Sequence, residues 1–125
     1  MEYNFLSLED VLEIHSNQIA IYGGSDAIRD MNLLLSAIEM PKSGFENNYF
    51  HQNIYEMAAA YLFHIVQNHP FIDGNKRTGL VCAFMFLLNN DVATKYDTDE
   101  IYELVLNVAQ GKADKKVISE FFKNH

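Results

Sequence analysis

His69, Asp73, Lys76 and Arg77 fall within one short stretch, His69-Pro70-Phe71-Ile72-Asp73-Gly74-Asn75-Lys76-Arg77. Proton-exchanging, acidic and cationic groups are concentrated there, between two apolar segments. Gly74 permits a positive φ or a close backbone approach. The residues that follow read as the start of a helix, whose free N–H groups and positive dipole end attract anions. Lys76 and Arg77 add full positive charge at that end, where the dipole disfavours cations. A bound polyanion such as a phosphate chain resolves the conflict.

Taken singly, each residue has a plainer reading. His69 suits the end of a helix, Asp73 suits an N-cap, and Lys76-Arg77 suits a solvated face. Their conjunction is what points to chemistry. A P-loop does not fit, because Gly74-Asn75-Lys76-Arg77-Thr78 lacks the first glycine and the lysine-serine/threonine order, and no strand precedes it.

The flanking elements read as helices. Ser7 with Asp10 forms a capping-box pattern, followed by Leu8, Val11, Leu12, His15, Ile19 and Tyr22 at helical spacing and a stop at Gly23-Gly24. Asp30 caps a second helix carrying Leu33, Leu34, Ala37 and Ile38, which ends near Pro41. Residues 42–53 read as a loop or short flap; Phe45, Tyr49 and Phe50 either form a target-binding flap or, the preferred reading, tuck against the core, and His51 is a candidate cap for the next helix. Ile54, Met57, Ala58, Tyr61, Leu62 and Ile65 define the third helix, which stops before Pro70. His64 on it reads as a packed or surface residue, and with His69 it makes no metal pair. The fourth helix, from about Asn75 to Asn89, is apolar nearly all round and is expected at the centre of a bundle. Thr98 caps a fifth helix with Ile101, Leu104, Val105 and Val108, ended by Gly111, and Val117, Ile118, Phe121 and Phe122 mark the last. Residues 91–97 leave room for a brief strand at most. The expectation is an all-α bundle over residues 1–125, a single domain with a short β flap at most.

Composition sets the outer limits. With 49% hydrophobic and 21% charged residues, the chain is ordinary for a folded protein. Its one cysteine, Cys82, lies in an apolar run and reads as a buried thiol, which excludes a disulfide scaffold. Seventeen acidic against nine basic residues give a net charge of −8, which argues against direct nucleic-acid binding or an anionic membrane surface. A basic protein partner is compatible with it. No run reaches the roughly 18 apolar residues of a membrane span, and the first residues carry no signal-peptide pattern, so a cytoplasmic location is expected.

The stretch His69 to Thr78 resembles the signature of Fic-fold proteins, and in particular of the death-on-curing (Doc) toxins. The resemblance extends to Ile21-Tyr22-Gly23-Gly24-Ser25, Arg29-Asp30, Leu34-Leu35-Ser36-Ala37-Ile38 and the run Ala58 to Asn68, and so covers nearly the whole chain. It implies a Fic-type bundle in which His69 is the general base for a target hydroxyl and Phe71 anchors the loop. It also implies that Asp73 holds Mg²⁺, that Gly74, Asn75 and the helix start cradle phosphates, and that Arg77 pairs with their oxygens. Lys76 is the discriminating position. Adenylyl-transferring Fic proteins carry glycine there, whereas Doc carries lysine, whose bulk is taken to reverse the nucleotide so that the γ-phosphoryl group of ATP is transferred. Leu80 stands where Fic proteins usually have a second arginine, and the self-inhibitory Ser/Thr-x-x-x-Glu segment is absent. Both features are Doc-like. Glu39-Met40-Pro41 departs from the arginine expected before the proline, a difference that bears on target docking.

The function implied is that of a toxin kinase acting on a Ser or Thr of a translation factor, elongation factor Tu by resemblance, restrained by a small antitoxin. Phosphoryl transfer through a loose transition state depends mainly on positioning and charge neutralisation, which a lysine, an arginine, a metal and helix N–H groups can supply. Two other readings remain open from sequence: AMP transfer, and a non-catalytic interaction domain that keeps the fold.

Overall fold

The computed structural model describes residues 2–125. Six helices account for most of them: α1 (Leu8–Tyr22), α2 (Met31–Glu39), α3 (Ile54–Asn68), α4 (Asn75–Asn89), α5 (Thr98–Ala109) and α6 (Lys115–Lys123). A 3-10 turn, Met40–Lys42, follows α2, and a two-stranded antiparallel flap joins β1 (Gly44–Phe45) to β2 (Asn48–Tyr49). The architecture is all-α with a short β flap, as the helical periodicity predicts.

The centre of the bundle is α3. It packs on α2, α4, α5, α6 and the 3-10 turn, and buries the continuous run Met57 to Leu62 together with Ile65 and Val66. Ala58, Ala59 and Ala60 make this possible, because small side chains let several neighbours approach one helix. The closest partner is α4. A Cβ at Gly79 would lie 3.3 Å from the Leu62 side chain, the Leu62 carbonyl oxygen and Val66, so glycine lets α4 approach α3 where any side chain would require its neighbours to give by a few tenths of an ångström. The α4 face turned inward carries Thr78, Cys82, Ala83, Phe86 and Leu87, while Met85 and Leu88 face solvent. Apolarity all round the helix therefore overstates its burial. Cys82 is fully buried, and burial pushes its thiol well above the usual range.

Helix starts follow capping chemistry. Ser7 and Asp10 form the reciprocal capping box of α1, and the Asp30 carboxylate accepts from Leu33 N–H. At α5 the cap is Asp97, which accepts from the N–H groups of Asp99 and Glu100; Thr98 is the first helical residue rather than the cap, so the helix begins one residue earlier than the sequence suggested. Asn53, not His51, caps α3. His51 is instead buried beside Lys115, whose Nζ lies 3.2 Å from Nε2 of both His51 and His64.

In the flap, Glu46 and Asn47 both take positive φ, as a two-residue hairpin turn requires. Only Tyr49 of its aromatic residues packs inward, against Tyr3 and Phe5, whereas Phe45 and Phe50 are exposed. The expectation that all three tuck against the core is corrected: two-residue strands have no second layer to cover their outer face. Residues 91–97 form no strand.

Candidate active site

The loop between α3 and α4 is shaped by its own sequence and held by residues far from it. Pro70 prevents α3 from continuing, and His69 closes it in the left-handed conformation, φ 49° and ψ 53°. That conformation is uncommon for a non-glycine residue and persists only where the surroundings enforce it. Arg29 supplies part of the enforcement: its Nε donates to the His69 carbonyl at 2.6 Å and its Nη2 to the Asn68 carbonyl at 2.9 Å. A guanidinium on the last carbonyls of a helix also complements the dipole.

The segment after α1 lies antiparallel to the loop. Arg29 and Asp30 N–H donate to the Pro70 carbonyl, Ile72 N–H donates to the Ala27 carbonyl, and Ile28 bridges Phe71. Phe71 is fully buried and stacks on His15, with ring centroids 3.6 Å apart and planes 6° from parallel. His15, itself buried on α1, places Nε2 at 2.8 Å from the Asp73 carbonyl; because a carbonyl only accepts, Nε2 carries the proton. One buried imidazole thus holds both the loop's anchor and the backbone before α4.

Asp73 does not cap α4. Its Oδ2 accepts from Ser25 N–H at 2.8 Å, and a Cβ at Gly24 would meet its side chain at 3.1 Å, so the carboxylate rests against a glycine turn. Gly74 is the N-cap, at φ 81°, and contributes no side-chain hydrogen bond. The first-turn N–H groups of α4 are therefore left for water or an anion. The Asn75 side chain turns inward: Oδ1 accepts from Phe71 N–H, and Nδ2 lies 2.9 Å from both the Phe71 carbonyl and His69 Nδ1.

Lys76 is exposed at the start of α4 and Arg77 is half-buried. The Arg77 guanidinium lies over the Tyr22 ring, 4.9 Å from its centroid, and its Nη2 reaches the Gly23 carbonyl at only 3.5 Å. Its Nε is buried with no partner. The ion pairs among the described residues, Lys42 with Glu39 and His125 with Glu100, leave both cations of the loop without an acid. Buried polar groups are normally satisfied, so an unpaired guanidinium nitrogen calls for an acceptor.

These residues converge on a cleft of about 680 Å³. His69, Asp73, Gly74, Asn75, Lys76 and Arg77 line one wall; Tyr22, Gly23 and Gly24 line the other. The sequence-derived residues are thus brought together, with Phe71 beneath them as the loop's anchor. His51 and His64 lie elsewhere, at the α3–α6 contact. Sequence reasoning missed Tyr22, Ser25, Arg29 and His15 as contributors. The first three sit in segments the resemblance flagged, and a histidine on the apolar face of α1 was the available signal for the fourth.

Among the described residues no three His, Cys, Asp or Glu side chains gather as a metal site. Asp73 nevertheless suits Mg²⁺, which is commonly held by one or two carboxylates together with substrate phosphates and water. A divalent cation in this cleft would depend on a bound phosphate chain for its remaining ligands.

A family model described as the Fic/DOC family matches residues 5–87. The chain is 34% identical over 112 residues to "Toxin Doc" of Mycolicibacterium smegmatis, covering 88% of this chain and 84% of that protein. It is 27% identical over 115 residues to "Protein kinase doc" of Escherichia phage P1, covering 92% and 90% respectively.

Proposed function

Because the chain belongs to the Fic/DOC family, we propose that it is a Doc-type toxin that transfers the γ-phosphoryl group of ATP to a serine or threonine hydroxyl of a protein. The observation that carries this reading is the unpaired, half-buried Arg77 beside an α4 start with no side-chain cap. In an acidic protein, two cations at a helix N-terminus without an acidic partner among the described residues favour a bound polyanion.

The residues divide the work as follows. The N–H groups of α4 and the Arg77 guanidinium receive phosphate oxygens, with Arg77 free to form charge-assisted bonds through Nε. Lys76 neutralises charge at the transferring phosphoryl group and fills the space that would admit the alternative nucleotide orientation. Asp73, fixed by Ser25 and the neighbouring Gly24, would hold Mg²⁺, which when bound neutralises charge on the phosphate chain. His69 takes the proton of the target hydroxyl as its oxygen bonds to the γ-phosphorus and the bond to ADP breaks. Phe71, His15 and Arg29 keep this loop in one geometry, which matters because positioning supplies much of the rate in phosphoryl transfer.

Elongation factor Tu is the target we propose from the resemblance, with arrest of translation as the outcome. The relatives' names, a toxin and a protein kinase, support the toxin and phosphoryl-transfer parts of the reading, while the target rests on the resemblance alone. Restraint in trans by a short antitoxin is part of the same proposal, supported by the relative named as a toxin. Incubating the protein with a bacterial extract and ATP labelled at either the γ or the α phosphorus tests the chemistry. Label should enter protein from γ-labelled ATP alone; entry from α-labelled ATP would identify AMP transfer instead.

A further inference from the structure

The amide of Asn75 cannot be turned around. Its oxygen accepts from Phe71 N–H, and its nitrogen faces the Phe71 carbonyl, both at 2.9 Å. An N–H only donates and a carbonyl only accepts, so these two backbone groups dictate which end of the amide is nitrogen. Nδ2 has two hydrogens. One goes to the Phe71 carbonyl; the other points to His69 Nδ1 at 2.9 Å, so Nδ1 must present its lone pair. A neutral imidazole that accepts at Nδ1 carries its proton on Nε2.

We propose that Asn75 is a positioning residue that holds neutral His69 as the Nε2–H tautomer, so that its outer nitrogen meets the cleft as a donor. This deepens the transfer reading and rests on it only for its catalytic consequence. A base acting through Nε2 needs a lone pair there, and the resting ring does not offer one. The ring must release its Nε2 proton to water and gain one at Nδ1, which requires Nδ1 to leave Asn75. Only then does Nε2 accept the hydroxyl proton, giving the imidazolium as the new P–O bond forms and the bond to ADP breaks. The Asn75–His69 bond thereby restrains the free enzyme: it favours a ring that binds a phosphate or hydroxyl oxygen through Nε2–H, and base catalysis waits on the His69 ring leaving Asn75 when substrate binds, with the loop backbone held in place.

The Asn75 side chain is accordingly occupied inside the loop. Its contribution to anion binding comes from its backbone N–H at the start of α4.

The test is NMR of the full chain labelled with ¹⁵N, with the His69 ring signals assigned by comparison with His69→Gln. At a pH where the ring is neutral, we expect Nε2 to carry the proton. A scalar coupling should connect the Asn75 side-chain nitrogen to His69 Nδ1 across the N–H···N bond. In Asn75→Asp, a carboxylate replaces the donor, so His69 should switch to the Nδ1–H tautomer and the coupling should vanish. A wild-type ring protonated at Nδ1, or absence of the coupling in a folded sample, overturns the proposal whether or not Asn75→Asp folds. An unchanged tautomer in folded Asn75→Asp overturns it too. None of these readouts depends on whether the protein transfers phosphate, so failure of the tautomer assignment and failure of the transfer reading are separately visible.

Discussion

Replacing His15 removes two supports of the active loop at once, the stack on Phe71 and the bond to the Asp73 carbonyl. His15→Ala should therefore destabilise the protein by on the order of 2–4 kcal/mol, combining a buried cavity with an unsatisfied carbonyl. His15→Phe restores the ring but not the donor, and should lose only about 1–2 kcal/mol. Denaturant midpoints at unchanged slope measure both, and equal losses would show that the ring stack contributes nothing and that the hydrogen bond carries the whole effect. Lys76 answers a different question. Its side chain is exposed and the α4 N–H groups already attract an anion, so its volume is its distinctive property. If volume selects the nucleotide orientation, Lys76→Gly should lose phosphate transfer and gain some AMP transfer, whereas Lys76→Met keeps the bulk and should gain none. The mass added to one target by each variant decides it, and equal impairment without AMP in either would reduce Lys76 to a charge.

At the scale of elements, α3 and α6 meet through Lys115, His51 and His64 rather than through apolar contacts alone. Burial is the main cause lowering the His64 pKa, to about 4, and the Lys115 charge adds to it; His51 is lowered by the same two causes, partly opposed by Glu56. The unfolded chain then binds protons that the folded chain refuses. This stabilisation is complete above the ordinary histidine range, near 6.5, and is lost as pH falls toward 4. Melting temperature should fall across that window, and His64→Gln should flatten the fall; an identical profile in the variant would rule out this contact as the cause.

The helices themselves were readable because apolar spacing and caps are local properties. Asp97-Thr98 shows the limit. Two adjacent residues both suit a cap, and the backbone angles that choose between them are not written in composition. The supports of the site were harder still. His15, Ser25 and Arg29 act across separations of 58, 48 and 40 residues, and no local pattern encodes which loop they hold. The motif supplied the cleft's chemistry, and the fold supplied its rigidity.

Over the whole molecule, a net charge of −8 coexists with a cleft whose cations have no acidic partner. The acidic surface is compatible with a partner that carries basic residues, and the cleft, on the proposed reading, with phosphate. No helix among the described residues is long and apolar enough to cross a membrane. Among the described residues Asp73 is the one carboxylate lining the cleft, so Asp73→Ala should abolish the Mg²⁺ dependence of ATP binding. Calorimetric titration with and without the ion checks this, and an unaltered difference would place the cation elsewhere.

The proposed γ-phosphoryl transfer depends on His69 as the base. Intact-mass measurement of elongation factor Tu, after incubation with this protein, ATP and Mg²⁺, tests it most directly. One phosphate should be added by the unmodified protein and none by His69→Ala, with the variant folded. Addition of AMP by the unmodified protein, or equal phosphate addition by His69→Ala, would contradict the proposed transfer.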